Sequence, residues 1–120
     1  MKNFTILLLL LSMISCKNDD DSSGRFCTLE FVYGLSVQVR DVDTGGIILN
    51  NITVTAIDGS YEEELAFNFD TYIGAGERPG NYTLEVRADG YQDFTSEVIR
   101  VGADECHVIP EFVEITLEPL

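Results

Sequence analysis

Residues 79–91 read Pro79-Gly80-Asn81-Tyr82-Thr83-Leu84-Glu85-Val86-Arg87-Ala88-Asp89-Gly90-Tyr91, and this stretch decides the fold class. Tyr82, Leu84, Val86 and Ala88 alternate with Thr83, Glu85 and Arg87, the period of two by which a strand buries one face and wets the other. Pro79-Gly80 supplies a corner ahead of the strand, and Gly90 a residue at ease with positive φ where the chain doubles back. Tyr82 carries a hydroxyl into the buried row, within reach of the backbone of that corner.

The same period recurs on both sides. Upstream, alternation starts at Leu29, and Leu35, Val37 and Val39 alternate with Ser36, Gln38 and Arg40 before the turn Asp43-Thr44-Gly45-Gly46. Ile52, Val54 and Ala56 alternate with Thr53 and Thr55, and Asp58-Gly59-Ser60 turns again. Leu65, Phe67 and Phe69 against Glu64, Ala66 and Asn68 predict a third strand with one buried face, and residues 74–80 a loop. Downstream, residues 94–101 predict a strand with a bulge or an edge position at Val98-Ile99. Gly102-Ala103-Asp104 turns, and Val113, Ile115 and Leu117 alternate with Glu114, Thr116 and Glu118. No window sustains a 3.6 period. The pattern predicts an all-β, antiparallel two-sheet sandwich of about seven strands, with little or no helix.

Asp43-Thr44-Gly45, Ile52-Thr53-Val54 and the Pro79–Tyr91 stretch together resemble the carboxypeptidase-regulatory-like domains, which share a transthyretin-like (prealbumin-like) sandwich. The resemblance runs from Leu35 to Leu117, and Pro-Gly-x-Tyr is its most specific part. Tyr61 to Gly76 departs from it, lacking the usual Asp-x-x-Gly-x-Phe turn. The motif residues make corners and core, so the resemblance implies a fold and no chemistry. Enzymatic relatives of that fold end in Tyr-Arg-Gly-Ser and carry several histidines, whereas this chain ends Glu118-Pro119-Leu120 and has one, His107.

The N-terminus is an address. Lys2, the apolar run Phe4 to Leu11 and Ser12-Met13-Ile14-Ser15 have the layout of a secretory signal, and the run is shorter than the ~20 apolar residues of a membrane span. Ser15-Cys16 resembles the bacterial lipobox, with Met13 at the usual leucine position, which implies lipidation of Cys16 as the mature N-terminus. Lys17-Asn18-Asp19-Asp20-Asp21 is similar to the export signal of surface-displayed Gram-negative lipoproteins, with Asn18 intervening; it implies an outer-membrane protein that faces outward rather than into the periplasm. The expected organisation is a signal peptide over 1–15, an acidic flexible tether over 16–26 and one β-sandwich domain over 27–120.

Seven basic and 21 acidic side chains give a net charge of −14, which turns the chain away from nucleic acid and anionic head groups. The membrane is then met through the lipid alone, and the expected partner of a monomeric module is a protein or a glycan. Once Cys16 is taken by lipid, Cys27 and Cys106 remain, and an exported domain favours a disulfide between them, tying the first strand to the segment before the last. No cofactor and no catalytic residue is expected. His107 adjoins Cys106, and neighbours along a strand face opposite ways, which argues against a thiol–imidazole pair. Asp41 and Asp43 have the opening spacing of a calcium loop, but no glutamate follows at its twelfth position, so they are weak metal candidates and a hairpin turn explains them better. Glu62-Glu63-Glu64 is a solvated strand start. A sugar platform would need planar rings, and Tyr33, Tyr61, Tyr72, Tyr91 and Phe94 are the available ones.

Overall fold

A computed structural model describes residues 27–120; the expected signal peptide, the tether and Cys16 lie outside the described residues. The described chain is all strand and turn: β1 (Tyr33–Asp41), β2 (Ile52–Asp58), β3 (Tyr61–Glu64), β4 (Ala66–Asn68), β5 (Thr71–Gly76), β6 (Gly80–Ala88), β7 (Phe94–Thr95), β8 (Ile99–Val101) and β9 (Glu111–Leu117). One sheet has the order β4-β5-β1-β9, and the other β3-β2-β6 with both β7 and β8 on the far edge of β6. The alternating residues face one another across a shared core. Leu35, Val37, Val39, Ile115 and Leu117 come from the first sheet, and Val54, Ala56, Tyr82, Leu84 and Val86 from the second. Each large side chain fully buried there contributes roughly 1.5–3 kcal/mol of transfer free energy. The Tyr82 hydroxyl donates to the Arg78 carbonyl at 2.7 Å, as the corner requires. Gly45, Gly59 and Gly90 take positive φ at the three predicted turns.

Several expectations are corrected. β9 runs parallel to β1, from Leu35 opposite Glu111 to Asp41 opposite Leu117, so the sandwich is not wholly antiparallel. The reason lies in the route. β8 ends at Val101, whose side chain packs on Gly34 at the start of β1, and after residues 102–110 the chain enters β9 at that same end. The alternation at Leu29 does not become strand until Tyr33. Leu29 and Phe31 are exposed, and at Val32 the carbonyl accepts the Glu77 N–H while the N–H goes to the Glu77 carboxylate instead of a ladder partner.

The third strand predicted over Leu65, Phe67 and Phe69 is two short strands in different sheets. Only Leu65, at the crossover between them, is buried; Phe67 is half exposed and Phe69, with φ of 62°, is 87% exposed at a turn. The predicted loop at 74–80 is in its first half β5. Its glycines serve close packing rather than turning: a Cβ at Gly74 would overlap Leu65, and one at Gly76 would overlap the Phe31 ring. The strand predicted over 94–101 is broken as well, with exposed Val98 between β7 and β8 on the sheet edge. Ser96 bridges the break, donating its N–H to the Leu84 carbonyl and accepting the Leu84 N–H on its hydroxyl, both at 2.9 Å.

Candidate functional site

The densest polar cluster lies where the chain enters the domain. Cys27 and Cys106 form the expected disulfide, although Cys27 stands ahead of β1 rather than in it. One residue on from each sulfur, Thr28 Oγ1 lies 2.9 Å from His107 Nε2. His107 Nδ1 lies 2.6 Å from Glu77 Oε2 and donates to that carboxylate, while in the protonated ring Nε2 donates to Thr28 Oγ1, whose own proton goes to Glu30. Glu77 also accepts the Val32 N–H at 2.9 Å and the Val108 N–H at 3.2 Å. Its φ of 48° turns the carboxylate toward those donors. One side chain thus fastens three segments of chain.

His107 does not lie on a strand, which corrects the premise used to separate it from Cys106. Asp104 Oδ1 accepts the N–H groups of both Cys106 and His107 at 2.8 Å, curling residues 104–107 into a side-chain-capped turn. The electrostatics are mutual. The Glu77 hydrogen bond raises the His107 pKa above its ordinary 6.5 against the opposing effect of burial. At Glu77 burial works upward, yet the bonds from His107, Val32 and Val108 carry its carboxyl below 4.5. The His107 and Cys106 N–H groups hold Asp104 below the usual carboxylate range.

Thr28, His107 and Glu77 follow the order of a hydroxyl–imidazole–carboxylate relay. Open clefts on the described surface are lined around Asn51 and Arg87, around Gln92 and Thr116, and around Asn81 and Arg100, apart from Thr28, Glu77 and His107. Chemically the cluster is a clasp.

The remaining sequence candidates are spent on architecture. Asp41 Oδ1 accepts the N–H groups of Asp43 and Thr44 at 2.7 and 3.0 Å, and Oδ2 accepts the Tyr91 hydroxyl at 2.6 Å. These bonds, that from Tyr91 foremost, hold the Asp41 carboxyl below its ordinary range, and the pair Asp41 and Asp43 forms the turn. Among the described residues no three acidic, histidine or cysteine side chains converge as a metal site. Glu63, expected to be solvated, turns inward to accept the Tyr61 hydroxyl and the Ala75 N–H. Of the five rings considered for a sugar platform, Tyr72 is buried, Tyr61, Tyr91 and Phe94 pack on the core, and only Tyr33 is exposed. Tyr33 meets Phe31 edge to face, with the planes 80° apart, which is not a flat platform. Neither Glu77 nor Thr28 stood out in the sequence, since residues 28, 77 and 107 meet only through tertiary structure.

No protein-family model matches this chain, and no curated protein matches it.

Proposed function

We propose that this chain is a lipid-anchored, non-enzymatic module of a bacterial cell envelope that holds a protein or another extracellular ligand. The observation that carries the reading is the apolar run Phe4 to Leu11 followed by Ser15-Cys16, the layout of a leader whose cysteine receives lipid. The Cys27–Cys106 bridge supports it, because such bonds persist in oxidising compartments outside the cytoplasm. The acidic residues after Cys16 favour the outward leaflet of the outer membrane. Within the all-β class we assign the sandwich to the transthyretin-like group on the Pro79–Tyr91 stretch. The non-enzymatic part rests on the clasp, whose side chains are engaged in holding chain segments and lie away from the open clefts. A carbohydrate-binding accessory role is the second reading; the contact at 80° between Phe31 and Tyr33 weighs against it.

Cys16→Ala tests the anchor in cells. The variant is expected in the soluble envelope fraction, while the parent partitions with membranes; a variant that stays detergent-dependent refutes the lipoprotein reading. Protease added to intact cells is expected to digest the parent domain. Full protection would move it to the periplasmic face.

A further inference from the structure

Residues 27–33 carry an inverted pattern. Two even positions are tied to the protein: Thr28 meets His107, and Val32 packs on the core while its N–H is held by Glu77. After the bridged Cys27, the odd positions face out, with Leu29, Phe31 and Tyr33 exposed by 101%, 61% and 42%. The segment cannot roll over to bury them, being fixed by the disulfide at one end and by Glu77 at the other. Phe31 is seated over Gly76 and edge-on to Tyr33 at 5.2 Å, so its position is set in advance. Glu30, between them, reaches back to Thr28 Oγ1 at 3.4 Å rather than across the row. Leu29 and the touching pair Phe31 and Tyr33, held outward by a covalent bond and a polar clasp, mark an interaction surface.

Chain connectivity names the occupant. Leu29 follows Cys16 by only thirteen residues, a contour of at most about 45 Å at ~3.3–3.6 Å per residue, so a lipid on Cys16 keeps the row beside the bilayer. A surface so tethered makes the second contact intramolecular, and a weak apolar contact then suffices. Charge selects among surfaces. With Lys2 removed, 6 basic against 21 acidic side chains leave about −15, which disfavours anionic lipid and a second copy of the chain, while an apolar leucine and two aromatic rings suit the uncharged boundary between head groups and acyl chains. We infer that Leu29, Phe31 and Tyr33 insert into that boundary, so that the domain rests on the membrane in one orientation rather than swinging from its lipid. The inference rests on the lipidation of Cys16.

The protein contains no tryptophan, so a single introduced one reports its own surroundings. The lipidated full chain carrying Leu29→Trp, Phe31→Trp or Phe69→Trp is reconstituted into phosphatidylcholine vesicles with brominated acyl chains. Leu29 is fully exposed and makes its substitution without disturbing the fold, which guards against a misfolded Phe31 variant. Phe69 is an exposed aromatic at the Thr71 end of β5, opposite the Gly76 end on which Phe31 sits. Expected are quenching and a blue shift at positions 29 and 31 and neither at 69. Vesicles that float the protein while leaving 29 and 31 unquenched, or quench all three alike, overturn the docking and leave the anchor standing. Protein that fails to float overturns both.

Discussion

Leu84 sits at the middle of β6 with no accessible surface, between Tyr82 and Val86, which are equally buried. Leu84→Ala removes a core side chain the sandwich cannot collapse around, and a loss of about 2–5 kcal/mol is expected in urea unfolding. Domains of this kind hold about 5–15 kcal/mol in all, so the change consumes much of the margin. A loss below ~1 kcal/mol would show that the interior does not run through β6. This row was legible because each residue obeys the period of two and the adjoining corner gives Tyr82 its acceptor. Phe69 shows the opposite. Its place in an alternating row predicted burial, yet Phe67 and Phe69 follow the crossover at Leu65, and a change of sheet erases the meaning of the alternation.

Among the elements, β5 was hidden because its glycines look like a loop when read alone. Their use is visible only when Leu65 and Phe31 are laid over them. The clasp was equally silent, since no local pattern joins Thr28, Glu77 and His107, whereas the Cys27–Cys106 pairing followed from counting cysteines. The clasp leads to a pH prediction. His107 has a folded pKa above 6.5, so its contribution is complete below that value and is lost as pH rises through the raised one. Glu77 has a folded pKa below 4.5, so its contribution is complete above that value and is lost as pH falls through the lowered one. Both are present together between 4.5 and 6.5. The difference in Tm between the parent and His107→Ala is therefore expected to be largest in that interval and to shrink on the alkaline side. A difference that does not vary with pH would mean that the ring acts by packing alone.

At the scale of the whole molecule, the disulfide joins residues 79 positions apart. Closing so long a loop in the unfolded chain is expected to stabilise the domain by about 4.5 kcal/mol in the chain-entropy model. Reduction, or Cys106→Ser, is the test: the unfolding midpoint should fall, and an unchanged midpoint would show that the clasp alone holds the entry segment. Leu29, Phe31 and Tyr33 should lose their fixed presentation in the same variant.

The parallel pairing of β1 with β9 has one more effect, on how the domain comes into being. The first strand of the sandwich finds its edge partner only in the last, so loop closure across most of the domain must precede that reward, and chains built on such distant pairings fold slowly. A polypeptide emerging from its N-terminus has β1 flanked on one side by β5 and open on the other until residue 117 arrives. The domain therefore has no front half that could complete itself early, and the chain stays unclosed, and threadable, until residues 111–117 have been made.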